Sequence, residues 1–318
     1  MKKDNNPLVS IIIPTYRRPH LIKKAIQNIK KQSYKNLEII VINDNGVENE
    51  KLKNETYFEI ENFIKENAIK YMELENNLGG ALARNEGIKK AKGKYISFFD
   101  DDDEYYIDKI KLQVEKFEES KNKNIAFIKS EMDFISNGLV ISTSNTKRIF
   151  EETSLLKSHL LNLHGIVGTI SFLFKREILN EIGGFSNVSI RQEYMLILKI
   201  LSKGYNGIHL DKNLVAVNCD GESIIRTKNE RKVESMKDVL SKRLSYSILN
   251  ENEKKKILKN HYLDLAEWYC GYKEMKCIKF SILGFQLQKD KIIFLIKINL
   301  KNIFGRYYLK VRKWLKGF

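Results

Sequence analysis

Four consecutive aspartates, Asp100 to Asp103, follow directly on an apolar run that contains Tyr95, Ile96, Phe98 and Phe99, with Glu104 behind them. A run of that apolar character belongs inside a sheet, and carboxylates so crowded repel one another unless a cation or protons neutralise them. In extended backbone alternate side chains share a face, so Asp100 is expected beside Asp102 and Asp101 beside Asp103. Hard carboxylate oxygens suit Mg2+ or Mn2+, ions that keep open positions for phosphates. In open α/β sheets, ligands bind where the strands end. For the four acids taken alone, a solvated acidic turn is the plainer alternative.

The flanking sequence supports such a sheet. Val9 to Ile13 is a continuous apolar run closed by Pro14, followed by the polar turn Thr15 to Pro19. Leu21, Ile22, Ala25, Ile26 and Ile29 then recur at helical spacing with lysines between them. A second apolar run, Leu37 to Ile42, stops at Asn43-Asp-Asn-Gly46, so the chain opens as strand, helix, strand, the signature of a βαβ crossover. Further strands are expected at Ile69–Leu74, Ile125–Ile128, Ile170–Phe174, Ile208–Leu210 and Leu214–Val217. Helices are expected at Tyr57–Ile64, at Ala81–Lys92 with Gly93 as its cap, around Ile107–Phe117, and at Arg176–Ile182. Arg191–Lys203 is apolar on nearly every side and reads as a largely buried helix. From Gly138 to Leu163 the pattern is irregular, as in a segment that folds over a substrate.

The formal charge of +16 is concentrated at one end, because residues 229–318 hold 21 Lys and Arg against 9 Asp and Glu. Residues 1–228 and 229–318 therefore read as two domains, a near-balanced body and a basic helical region. Candidate helices in the second are Val233–Leu249, Glu253–Tyr272 and roughly Lys289–Lys316. Its longest apolar run, Ile292 to Ile296, is far below the ~20 residues that span a bilayer. Lysines and arginines interleaved with Phe294, Phe304, Tyr307, Tyr308 and Trp314 suit a helix lying on an anionic membrane surface. A docked helical tail with a solvated lysine face is the plainer reading. Three cysteines, Cys219, Cys270 and Cys277, have no zinc-like spacing and point to a reducing compartment. The polar N-terminus has no apolar segment of a secretory signal.

No glycine-rich dinucleotide or phosphate loop follows the first strand, which argues against dehydrogenases and phosphate-loop NTPases. A nucleotidyltransferase would need such a loop for a triphosphate, and Thr15-Tyr-Arg-Arg-Pro19 lacks the glycines. A nucleic-acid-binding protein would spread its basic residues over the body, whereas here the excess sits in the tail and the presumptive rim is acidic, so no nucleic-acid partner is expected. Three strand ends carry polar groups, namely Thr15-Tyr16-Arg17, Asp44 and Asp100–Asp103, and adjacent parallel strands deliver such ends to one rim.

A set of ordered landmarks completes the picture: Val9-Ser-Ile-Ile-Ile-Pro-Thr-Tyr-Arg17, Val41-Ile-Asn-Asp-Asn-Gly46, Asn77-Leu-Gly-Gly-Ala-Leu-Ala-Arg-Asn-Glu-Gly87, Tyr95-Ile-Ser-Phe-Phe-Asp-Asp-Asp-Asp103, Gly183-Gly-Phe185 and Arg191-Gln-Glu193. In this order they resemble family 2 glycosyltransferases over about residues 9–225, and the tail lies outside the resemblance. The resemblance implies an α/β GT-A fold, Rossmann-like, with a mostly parallel central sheet and flanking helices. It also implies an inverting, metal-dependent enzyme using a UDP-sugar donor and a glycan or lipid-linked glycan acceptor. With the basic tail, it places the protein on the cytoplasmic side, peripheral at the inner face of a bacterial membrane.

Position by position, the resemblance implies that Pro14, Thr15, Tyr16 and Arg17 wrap the nucleoside and that Asp44 accepts from the base imide. Arg84 lies near base and phosphates. Asp100 and Asp102 match the two acids of an Asp-x-Asp motif, the first toward the ribose and the second on Mn2+ or Mg2+, with Asp101 between them on the donor side. The general base is usually the aspartate of a Glu-Asp pair; here the matching residue is Glu193, one methylene longer, preceded by a neutral Gln192. Where relatives often carry a metal-binding His, this chain has Cys219 and Asp220, of which Asp220 is the candidate oxygen ligand. His164 is a candidate acceptor-side residue.

Overall fold

The structure, a computed structural model, describes residues 6–150, 154–161, 168–220 and 230–269, together with 276, 279 and 283. The chain divides into two compact units, Met1–Ser223 and Ile224–Phe318. The first unit is built on a nine-stranded sheet. In chain order its elements are β1 (Val9–Thr15), α1 (Pro19–Lys30), β2 (Leu37–Asn43), α2 (Glu50–Lys65), β3 (Lys70–Glu73), α3 (Gly80–Lys90), β4 (Tyr95–Phe98), β5 (Glu104–Tyr105) and α4 (Lys109–Glu119). There follow β6 (Ile125–Ser136), β7 (Leu139–Thr143), α5 (Lys147–Phe150), α6 (Leu155–Leu161), β8 (Phe172–Lys175), α7 (Arg176–Glu181), α8 (Gln192–Ser202) and β9 (Asn206–Asn218).

The sheet order is β3-β2-β1-β4-β8-β6-β9-β5, with β7 paired to β6. The first four strands run parallel, β8 is antiparallel to both neighbours, and β6 and β9 are again parallel. The continuous apolar runs follow from this arrangement, because helices cover both faces. On one face Ile11, Ile13, Val41 and Tyr95 pack with Ile22, Ile26 and Ile29 of α1, Ile60 of α2 and Ile110 and Val114 of α4. On the other, Ile12, Ile40, Ile42, Ile96 and Phe98 pack with Ala83 and Ile88 of α3, Leu179 of α7 and Leu196, Ile197 and Ile200 of α8. Burying each such side chain stabilises the fold by roughly 1.5–3 kcal/mol. Gly87 lets α3 approach β1, since a Cβ there would lie 2.4 Å from Cγ2 of Ile12.

Several sequence expectations are revised. Strand β6 is much longer than Ile125–Ile128, and the two short strands at 208–217 are one strand, β9, interrupted by register shifts. Their central segments carry Lys129 and Glu131, both buried, and His209, whose side chain is 7% exposed; His209 Nε2 lies 2.6 Å from Glu131 Oε1, and Thr146 N donates to the same oxygen at 2.6 Å. Burial is tolerated there because the charges satisfy one another. Gly93 does not cap α3, which ends at Lys90 with Ala91 as its cap. Its amide donates to Ser10 Oγ at 2.9 Å, and a Cβ would lie 2.7 Å from the Ser10 amide. The irregular span after Gly138 contains β7, α5 and α6.

In the second unit, α9 (Glu230–Leu244) and α10 (Glu251–Tyr269) lie against each other, with Val233, Met236, Ile257 and Leu265 buried. The Tyr269 hydroxyl donates to Glu230 at 3.1 Å. Among the described residues no helix is long and apolar enough to cross a membrane. The amphipathic segment expected at Lys289–Lys316, together with His164, Cys270 and Cys277, lies outside the described residues.

Candidate active site

The carboxyl ends of β1, β2 and β4 stand side by side, so their polar residues share one rim. Strand β4 ends at Phe98, and the acids form a tight turn in which the Asp103 amide donates to the Asp100 carbonyl at 3.0 Å. The strict alternation expected of extended backbone therefore does not apply. The turn nevertheless sorts the side chains: Asp100 and Asp102 are partly exposed, 31% and 24%, while that of Asp101 is sealed. Asp101 accepts from the Thr15 hydroxyl at 2.7 Å and pairs with Arg18 at 2.6 Å. Burial pushes its carboxyl up to about 7, against the opposing pull of Arg18 and Thr15. The other arm of Arg18 pairs with Asp102. Asp103 accepts from the Asn218 amide at 3.0 Å, which brings the end of β9 to the turn, and burial together with Asp100 and Asp102 raises its pKa.

A polar layer supports the turn from below. The Tyr105 hydroxyl donates to the Phe98 carbonyl at 2.6 Å, and the fully buried Lys109 donates to Ser97 Oγ at 2.6 Å while lying 4.1 Å from the Tyr105 ring centroid. Burial without a carboxylate partner holds the Lys109 ammonium well below its ordinary pKa.

Asp44 follows β2 and is buried. Its carboxylate accepts from the amides of Leu78 at 2.7 Å and Gly79 at 2.9 Å and from Asn77 Nδ2 at 3.0 Å. It thereby fixes the loop that starts α3. Burial raises Asp44 to about 6, with the Leu78 and Gly79 amides working in the opposite direction. Pro14 and Thr15 end β1; the Thr15 carbonyl accepts from the Asp44 amide at 2.9 Å. Arg17 has φ 59 and lies 5.1 Å over the Tyr16 ring, its amide donating to Asn45 Oδ1 at 2.8 Å. Arg191, which precedes α8, has φ 61. Both arginines are held in the left-handed region at a cost of about 1–3 kcal/mol each, and such strain collects at functional sites.

Arg84 of α3 joins these parts. Its guanidinium pairs with Asp100 at 2.5 Å and donates to Gln192 Oε1 at 2.9 Å. Gln192 opens α8 and Glu193 follows it, half-buried, with no partner among the described residues. The sequence-expected residues Thr15, Asp44, Arg84, Asp100, Asp101 and Asp102 are thus linked around one rim, and Glu193 is next in the chain to Gln192, which Arg84 holds. Asp220 is engaged elsewhere, accepting from Ser136 Oγ at 2.6 Å and the Asn137 amide at 2.5 Å at the β6–β7 turn. Among the described residues no three His, Cys, Asp or Glu side chains gather to hold a metal. A divalent ion bound mainly through substrate phosphates needs only one or two carboxylates. Asp100 and Asp102 fit that need, each keeping one oxygen without a partner among the described residues. Arg18 is missing from the sequence-based assignments. Two arginines ending one strand beside four acids ending its neighbour were the available signal.

A cleft of about 490 Å3 lies at the opposite end of β4, lined by Lys92, Lys94, Lys123, Lys175 and Arg176 among others. It contains none of the rim residues.

The description Glycosyl transferase family 2 matches residues 10–183. An Escherichia coli protein named UDP-Glc:alpha-D-GlcNAc-diphosphoundecaprenol beta-1,3-glucosyltransferase WfgD is 32% identical over 213 residues, 67% of this chain and 74% of its own. The Erwinia amylovora amylovoran biosynthesis glycosyltransferase AmsB is 27% identical over 230 residues, 72% of this chain and 74% of its own. An uncharacterized Rickettsia felis glycosyltransferase is 32% identical over 216 residues, but the match spans only 33% of its length. In fold the chain is similar to Staphylococcus aureus TarS residues 1–349 in complex with UDP-GlcNAc, with a TM-score of 0.62 at 19% identity over 88% of this chain and 81% of that one. It is also similar to the Pyrobaculum calidifontis mannosyltransferase PcManGT in complex with GDP-Man and Mn2+, with a TM-score of 0.59 at 16% identity over 97% and 83%.

Proposed function

Because this chain belongs to glycosyltransferase family 2, we propose that it transfers a sugar, with inversion, from a UDP-sugar to a hydroxyl of a lipid-linked or growing bacterial surface glycan. The observation that supports the reading is the Arg84 bridge, which ties the acid turn to Gln192 at the head of α8, the residue before Glu193. The acceptor class rests on what WfgD, AmsB and the Bacillus subtilis putative teichuronic acid biosynthesis glycosyltransferase TuaG are named for.

In this reading Pro14, Thr15, Tyr16 and Arg17 flank the nucleoside and Asp44 reads the base with its remaining acceptor capacity. Asp100 faces the ribose, Asp101 anchors the turn beneath the donor, and Asp102 would hold Mn2+ or Mg2+. A divalent cation there would lend charge stabilisation to the departing diphosphate. Arg84, held between Asp100 and Gln192, adds a fixed positive charge on the same side. Glu193 takes the proton from the acceptor hydroxyl as its oxygen attacks the anomeric carbon from the face opposite the leaving group. The new C–O bond forms as the bond to the nucleoside diphosphate breaks, which inverts the centre. The residues beyond 228 form a basic region that holds the protein on the anionic inner face of the cell membrane.

A thermal-shift panel of nucleotide sugars with and without Mn2+ tests this directly. UDP-sugars are expected to stabilise the protein only with the cation present, by RT ln(1 + [L]/Kd), about 2.7 kcal/mol at a hundredfold excess over Kd. Stabilisation by GDP- or dTDP-sugars alone, or by none, would refute the donor class.

A further inference from the structure

We propose that Arg18 is a built-in counter-cation of the acid turn that competes with the divalent ion for Asp102. The proposal rests on the donor-site reading above and assigns that site a residue with a distinct role. Arg18 immediately precedes α1 and spans two neighbouring carboxylates, one guanidinium nitrogen on Asp101 at 2.6 Å and the other on Asp102. The two contacts are unequal. Asp101 is sealed from solvent and accepts from the Thr15 hydroxyl at its other oxygen, so that arm is an ion pair in a place water does not reach, although Asp101 Oδ1 makes no hydrogen bond with it. Asp102 is partly exposed, and among the described residues only its Oδ2 is bound. An arginine with two arms can therefore leave Asp102 while keeping Asp101.

The chemistry of exchange follows from charge. A guanidinium presents its donors in a rigid fork and stays ionised at any ordinary pH. A divalent ion on Asp102 would sit within a few ångströms of that fixed charge, and the two cations repel in a partly buried rim. The ion alone thus meets resistance at Asp102. A diphosphate arriving with it brings the negative charge that offsets both cations, and the released Arg18 arm has a phosphate oxygen to donate to. Arg18 couples cation binding to nucleotide binding. It is a positioning residue with respect to the reaction, and its effect is expected on cation affinity before any turnover.

The test is Mn2+ binding to the full chain, followed by the electron paramagnetic resonance signal of free Mn2+, with and without UDP. Wild-type protein is expected to bind Mn2+ at least tenfold more tightly when UDP is present. Arg18→Gln should bind Mn2+ at least fivefold more tightly than wild type without UDP, and its gain from UDP should shrink to threefold or less. Arg18→Lys, a single-point cation that cannot fork, should fall between them. It serves as the independent measurement if Arg18→Gln is poorly folded by circular dichroism. Unchanged or weaker Mn2+ binding by the variants, with loss of binding in Asp102→Asn, would overturn the role of Arg18 and leave the metal reading standing. Wild-type Mn2+ binding by Asp102→Asn would remove the metal reading itself, and the proposal with it.

Discussion

Arg84 on α3 and Gln192 at the head of α8 are joined by a 2.9 Å hydrogen bond across 108 residues of sequence, and the same guanidinium holds Asp100. One side chain thereby sets the distance between Asp100 and the helix that carries Glu193, the proposed base. A lysine at position 84 is a point charge and cannot span both partners. Arg84→Lys is expected to lower kcat on the order of 10²-fold, the scale of an ångström-sized misplacement, while the melting temperature stays close to wild type. Steady-state kinetics alongside a thermal melt decide it, and an unchanged kcat would show that the bridge does not position α8.

Removal of the charge of Glu193, the proposed base, should separate binding from chemistry. Glu193→Gln is nearly isosteric and Glu193 has no partner among the described residues to lose. Transfer is expected to fall by about 10²–10⁴-fold, with UDP affinity by calorimetry within twofold of wild type. Wild-type turnover by this variant would end the assignment.

The raised Asp44 carboxyl fixes the sign of a pH effect on stability. Burial lifts it from an ordinary 3.8 to about 6. Between those values the folded chain holds a proton that the unfolded chain has released, so this contribution to stability falls as pH rises from about 4 to 6. Asp44→Asn does not titrate and should show a smaller fall in melting temperature over that interval, whatever its absolute stability. Equal slopes in the two proteins would contradict the assignment.

Close approach of α3 to β1 gives a purely structural prediction. Gly87→Ala places a methyl 2.4 Å from Ile12 Cγ2 and is expected to cost about 1–3 kcal/mol by overpacking. Combined with Ile12→Ala, which opens that space, the loss in urea denaturation should be less than the sum of the two single variants. Strict additivity would place the strain elsewhere.

Charge reversal tests the role of the basic tail. Replacement of Lys297, Lys301, Lys310 and Lys313 by Glu should abolish sedimentation with anionic vesicles, since each basic residue near such a surface contributes about 1 kcal/mol. Binding to neutral vesicles and UDP affinity should not move. Undiminished pelleting of the variant would refute surface attachment through this segment.

The parallel half of the sheet was legible because its strands are apolar on both faces; Val9–Ile13, Leu37–Ile42 and the run before Asp100 need no context to be read. Strands β6 and β9 were truncated in the sequence reading because Lys129, Glu131 and His209 look solvent-seeking until they are seen to pair with one another inside the sheet. The two-residue strand β5 carries no periodicity at all. The rim acids are expected from their position after a strand, and Arg84 and Glu193 only from the ordered landmarks. Arg18 escaped because a charged residue beside a proline reads as an ordinary turn. Asp220 was proposed from its place in the chain, whereas its carboxylate serves the β6–β7 turn.

Asp44 spends most of its acceptor capacity on Asn77, Leu78 and Gly79. An engineer who mutates it to change which nucleotide the enzyme accepts would also loosen the first turn of α3, and Arg84 rides on that helix one turn further on. Altered base preference and lost turnover would then arrive together from a single substitution. Redesign of the proposed base pocket is better begun at Tyr16 or Arg17, which among the described residues bear no such mechanical duty toward the helix.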